Sequence, residues 1–165
     1  MVGRGSSSWP GGVEAADRAA ALRDRLLLLG ADDAQAFAAV LECYRVTDVN
    51  EPGDRGRELA QALLHASEVP LEIAQRAAEV VELAAGAALE GRRPMRPDAV
   101  AAVIMADAAT RAASLLVGGN LASLPFGSEP GEVPRLLDEA RVAQERAATH
   151  AARAAGPERS RDGWG

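Results

Sequence analysis

The stretch HASEVPLEIA, His65–Ala74, sets a proline inside sequence that otherwise reads as helix. On its N-terminal side Leu59, Leu63 and Ala66 share one helical face. On its C-terminal side the pattern continues through Ile73, Ala77, Val80, Val81 and Ala84 to Glu90. Pro70 has no N–H, so it leaves the carbonyl of Ala66 without its usual partner. Val69, which precedes the proline, is pushed away from helical dihedrals. The stretch therefore predicts two helices meeting at Glu68–Val69, or one sharply kinked helix. Glu68 and Glu72 flank the proline, and helix geometry alone does not require a carboxylate on each side.

Outward from Pro70 the remaining chain is also helical in pattern. A helix is expected from Val13 to Leu29, stopped by Gly30. Asp32 or Asp33 would cap the next one, with Phe37, Val40, Leu41 and Tyr44 as its buried stripe. Val46–Asp54 reads as a loop, and helix returns near Arg55. After Gly91 and a turn at RRPMRP, Asp98 is expected to cap an alanine-rich helix that Gly118 and Gly119 end. Its seam of Ala99, Ala102, Ala106, Ala109 and Ala113 suits close approach of another helix. A last amphipathic helix covers roughly Val133 to Ala154. The expected fold is an all-α, compact bundle of five to six helices with short loops. Residues 13–155 form the domain, between a disordered lead over 1–12 and a disordered tail over 156–165.

Composition agrees with this class. Hydrophobic residues make up 48% of the 165, yet aromatics only 3%, so alanine, leucine and valine must fill the core. The net charge of −6 argues against nucleic acid as a partner, since phosphate contacts need cations. Arg92, Arg93 and Arg96 are the one basic cluster and read as a solvated turn or a match to a helix C-terminus. No apolar run reaches the ~18 residues of a membrane span, so no membrane partner is expected. Cys43 is the single cysteine, which fits a reducing compartment, and the expected location is cytoplasmic.

The chemistry must be sparing. His65 and His150 are the only histidines, and no spacing for zinc or for a phosphate loop occurs. Catalysis would draw on carboxylates, amides, Tyr44 or water, without a metal. Asp107 lies four residues before Arg111 and beside Val100, Val103 and Ile104. It is either an ion pair at the edge of a buried stripe or a partly buried carboxylate in a helical cleft.

The order of four stretches resembles the formiminotransferase-cyclodeaminase C-terminal domain and the related bacterial methenyltetrahydrofolate cyclohydrolases. ADDAQAFAAVLECYRV resembles an Asp-led helix ending in Tyr-Arg. ASEVPLEIAQRAAEVVELA resembles the family's Ala-x-x-x-Pro-x-x-x-Ala helix and is the most specific match. PDAVAAVIMADAATRAA and VGGNLASL resemble its alanine helix and Asn-Leu ending. The family opens with Pro-Gly-Gly-Gly-Ser before a small-residue helix; here Pro10-Gly11-Gly12 leads directly into what resembles the second family helix, so the first is expected to be lacking. Pro97 stands for the family's Ser before Asp98, and Leu116 for one of its two Asn.

The resemblance implies one-carbon folate chemistry on a tetrahydrofolate derivative as small-molecule substrate. The reaction would be hydrolytic opening of 5,10-methenyltetrahydrofolate, or ammonia-releasing cyclisation of 5-formiminotetrahydrofolate. The alternative is a catalytically reduced helical binding or assembly module of the same family. Asp98 and Asp107 are expected as catalytic carboxylates sharing a cleft with Asn120 near Pro70. Asn120, Glu68 and Tyr44 are expected to bind substrate. A homodimer is expected through the alanine seam.

Overall fold

The computed structural model describes residues 11–46, 54–127 and 130–156. These residues form four α-helices: α1 Gly12–Val46, α2 Asp54–Glu90, α3 Arg96–Ala122 and α4 Val133–Ala155. A 3-10 turn at Arg93–Met95 precedes α3. The fold is all-α, with fewer helices than expected, because the breaks anticipated at Gly30 and Pro70 are absent; another, at Gly118 and Gly119, is also absent and lengthens α3. Most of the expected disordered lead and tail, and most of the loop after Val46, lie outside the described residues.

The first absent break is at Gly30, which α1 passes through. Leu22, Leu29, Ala36 and Val40 are all buried, and their spacing keeps one face of α1 aligned across the glycine. A helical glycine costs roughly 1 kcal/mol against alanine, which is small beside that burial. The expected stripe of Phe37, Val40, Leu41 and Tyr44 is corrected: only Val40 is buried, while Phe37, Leu41 and Tyr44 are exposed. The second absent break is at Gly118 and Gly119, where buried Val117 and Leu121 on either side carry α3 on to Ala122.

The third is at Pro70, inside the continuous helix α2 and fully buried. The carbonyl of Ala66, which the proline cannot satisfy, accepts a hydrogen bond from Asn120 Nδ2 at 2.6 Å. A side chain on α3 thus replaces the missing backbone donor, and the helix continues. Ser67 Oγ, one residue on and also buried, donates to the Leu63 carbonyl at 2.7 Å.

Helix α2 is the hub and packs on α1, α3 and α4; α3 also packs on α4. The α1–α2 core uses Leu29, Val40, Leu59, Leu63 and Val69. The α2–α3–α4 core is mostly small, with Ala74, Ala78, Val81, Ala106, Ala113, Ala143 and Ala147. Part of the alanine seam of α3 is used inside the chain: Ala106 and Ala113 are buried there and Ala99 packs against them, while Ala102 is half-buried and Ala109 exposed. Arg96 Nη2 donates to the Gly156 carbonyl at the end of α4 at 3.4 Å, a cation placed at a helix C-terminus.

Among the described residues Arg93–Ala122 is long and apolar enough to cross a membrane, by length and composition alone. The expectation that no stretch qualifies is thus corrected. A helix of this kind also arises in a bundle core, although only 28% of its most apolar window is buried in the chain.

Candidate functional site

Two hollows open beside α1. The larger, about 620 Å³, lies between the N-terminal half of α1 and α2, reaching Ala102 of α3. Ala15, Ala16, Ala19, Leu26, Val80 and Ala84 line it, and no carboxylate does. Arg23 is the charged residue on its wall, and the rest of the lining offers apolar contact. The smaller, about 500 Å³, lies between α1 and the middle of α2, beside Pro70. Arg25 and Asp32 of α1 face His65, Glu68 and Glu72 of α2 across it. This second cleft holds the polar groups that proton transfer and binding of a charged substrate require.

Its carboxylates have different duties. Glu72 receives a two-pronged contact from Arg25, Nε to Oε1 at 2.9 Å and Nη2 to Oε2 at 2.6 Å. Arg76 adds a longer contact at 3.4 Å. The Arg25 hydrogen bond is the main reason that the Glu72 carboxyl sits below the ordinary carboxylate range. It stays ionised and works as a strut between the helices. Two turns along α2, Glu79 is pushed up by burial but drawn down further by Arg18 and Arg76, with a net lowering. Arg18, Glu79, Arg76, Glu72, Arg25 and Asp32 form one alternating chain of charge across the α1–α2 seam.

Glu68 is not held in this way. Among the described residues its one close polar contact is His65 Nδ1 at 3.5 Å, and its side chain is 58% exposed against 28% for Glu72. Its charge is also felt by Arg135 at the start of α4, which is held chiefly by Glu139. Glu68 therefore sits on the cleft rim with an oxygen free to meet a ligand.

The other expected site residues fall elsewhere. Asn120 stands behind the cleft, with its amide nitrogen committed to Ala66. Its position beside Pro70 matches the expectation, while its observed duty is to complete α2. Asp98 is exposed in the first turn of α3 and does not cap it: α3 begins at Arg96, and the capping position is Met95 with no side-chain cap bond. Asp107 is paired through Oδ2 with Arg111 at 3.0 Å, and its Oδ1 is buried without a hydrogen-bond partner. At ~1.5 Å per residue, Asp98 lies roughly 33 Å and Asp107 roughly 20 Å from Asn120 along α3. One chain therefore does not gather Asp98, Asp107 and Asn120 in a single cleft. Tyr44 is exposed near the end of α1. Arg25 and Glu72 were legible only in part. Glu72 drew notice beside Pro70, but nothing in the sequence paired it with a residue 47 positions away.

The fold and cleft define a small all-α protein with a carboxylate-bearing groove between two long helices. The sequence profile of the formiminotransferase-cyclodeaminase family matches residues 10–125, and the chain belongs to that family. It is similar to the methenyltetrahydrofolate cyclohydrolase of Methylorubrum extorquens, with 35% identity over 137 residues, 79% of this chain and 65% of that protein. The chain thus spans slightly less than two thirds of that relative's length. Among the described residues, no three His, Cys, Asp or Glu side chains gather closely enough to hold a metal ion.

Proposed function

We propose that this chain acts in one-carbon folate interconversion, by hydrolytic opening of 5,10-methenyltetrahydrofolate in the α1–α2 cleft. The similarity to a cyclohydrolase carries the reaction class. Glu68, held only by the 3.5 Å contact of one oxygen with His65, beside the locked Glu72 carries the assignment within the cleft. Water adds to the cationic methenyl carbon while Glu68 accepts its proton, giving a tetrahedral carbon between two nitrogens. The carbinol oxygen then gives its remaining proton to solvent as the C=O forms, the bond to one ring nitrogen breaks, that nitrogen keeps the electron pair and takes up the proton held by Glu68, and 10-formyltetrahydrofolate leaves. Carboxylates around the cleft favour the cationic substrate over the neutral product. The step needs only water and a carboxylate. Release of ammonia from a formimino group passes through the same kind of carbon and is the second reaction to assay.

Glu68 replaces Asp98 and Asp107 in the catalytic role because neither of those lines the cleft, and Asp107 is engaged by Arg111. The reading keeps a cytoplasmic location, which the single cysteine suits. The test follows loss of methenyltetrahydrofolate absorbance above the uncatalysed rate. Glu68→Gln is expected to lower kcat by roughly 10²-fold or more, the usual reach of a positioned acid–base group. Asp98→Asn is expected to leave it unchanged. Absence of any excess rate, together with absence of folate binding by calorimetry, would replace the enzyme reading with the helical-module one.

A further inference from the structure

The hydrolysis proposed above sets one proton free in each turnover. A cationic methenyl carbon and water become a neutral formyl group, so the positive charge must leave the cleft as a proton. Glu68 returns the first proton, taken from water, to the folate nitrogen. The second, from the carbinol oxygen, calls for another base. Among the described residues the lining of the α1–α2 cleft narrows the choice. Arg25 has no acceptor. Glu72 is locked by Arg25 and held below the ordinary carboxylate range. Asp32 faces the same guanidinium at 3.7 Å, and a carboxylate is a weaker base than an imidazole by roughly 2 units. His65 is the remaining titratable group on the wall.

The contact between His65 and Glu68 sets which imidazole nitrogen is available. Nδ1 of His65 lies 3.5 Å from Glu68 Oε2, one turn away on α2. An ionised carboxylate only accepts hydrogen bonds. Nδ1 therefore carries the proton of the neutral ring, and the lone pair is on Nε2. The His65 side chain is 68% exposed, so the ring borders the cleft on one side and bulk solvent on the other. The same contact couples the two proton transfers. When Glu68 gives its proton to the folate nitrogen it becomes negative again, and a negative charge favours a positive imidazolium beside it. Arg135 of α4 also feels the Glu68 charge, but it is held by Glu139 and cannot accept a proton.

We propose that His65 is the proton outlet of the cleft: its Nε2 takes up, through solvent in the cleft, the proton that the carbinol oxygen loses, and passes it to bulk. This role rests on the cyclohydrolase reading. As the carbinol O–H bond breaks, its electron pair forms the C=O bond, and the pair of the broken C–N bond stays on the folate nitrogen. That nitrogen receives the proton from Glu68, while the carbinol proton reaches His65. The imidazolium then loses its extra proton to bulk solvent. Both side chains are back in their starting forms, and one proton has left with each formyl group made.

The test sets the full chain against His65→Gln in the methenyltetrahydrofolate absorbance assay, with the enzyme-free rate subtracted. Glutamine keeps an N–H for Glu68 but cannot carry a proton. His65→Gln is expected to lower kcat by roughly tenfold or more, with KM unchanged, because solvent remains as a poorer acceptor. Far-UV circular dichroism should not change, since His65 is exposed. Free imidazole added to the assay is expected to raise kcat of His65→Gln in proportion to its concentration and to leave the wild type as it was. His150→Gln, on α4 and outside the cleft lining, is expected to keep the wild-type kcat. A wild-type kcat in His65→Gln, a loss confined to KM, or a lowered kcat that imidazole does not raise each overturns the outlet and leaves the cyclohydrolase reading in place. A wild-type chain with no excess rate overturns both.

Discussion

The two seams of α2 are built on opposite principles. Against α1 it presents leucine and valine, and the seam is rimmed by a chain of ion pairs from Arg18 to Asp32. Against α3 it presents alanine, with a part-buried hydrogen bond from the Asn120 side chain to the Ala66 carbonyl. Bulky side chains hold axes apart and leave a cleft at the rim, which charged groups then line. Small side chains bring axes together and leave no room for solvent, so a single unmade hydrogen bond matters there. The candidate site lies on the first seam, and its framework is fixed from behind by the second.

Deleting bulk from the leucine seam is the largest single perturbation expected. Leu63 is 1% exposed, and Leu63→Ala should cost about 2–5 kcal/mol in chemical denaturation. A loss below about 1 kcal/mol would mean that α1 repacks readily and that the seam is not a fixed wall.

The alanine seam is probed through the Asn120 hydrogen bond. Asn120→Ala leaves the Ala66 carbonyl unsatisfied and should cost about 1–3 kcal/mol. In a Pro70→Ala background the backbone N–H returns to that carbonyl, and the same substitution should then cost much less. The double-mutant cycle measures this coupling directly. Equal costs in both backgrounds would break the assignment of Asn120 as the replacement donor.

The ion chain should respond least. Glu72→Gln removes a partly solvated pair, and a loss of about 0–1 kcal/mol is expected, shrinking with added salt. Glu72 and Glu79 are both held below their ordinary value of 4.5 in the folded chain. Their contribution is complete above that value and is lost as pH falls beneath it through the folded pKa. Thermal melts between pH 7 and pH 3 should show the wild type losing this increment, with Glu72→Gln losing less of it. A variant with the same acid sensitivity as wild type would remove Glu72 from the stabilising network.

The sequence by itself determined the helical class, the family, the buried face of α2 and the start of α4. These follow from local periodicity and from short patterns such as the one around Pro70, which need no knowledge of neighbours. The same local signals overstated the breaks. Gly30, Pro70, Gly118 and Gly119 each disfavour helix by a few kcal/mol at most, and burial of Leu29, Leu63, Val117 and Leu121 on facing helices outweighs them. Glu68 was visible as a carboxylate beside a proline, but its freedom was not, because that depends on Arg25 choosing Glu72 instead. Asn120 was visible as an amide at a helix end; only α2 lying against it decided that its nitrogen would serve Ala66. The two faces of α3 are almost equally apolar in sequence, so the pattern alone could not say which one the chain would bury. Contact with α2 and α4 made that choice, because small residues on the inner face allow an approach that Ile104, Met105 and Leu115 would block.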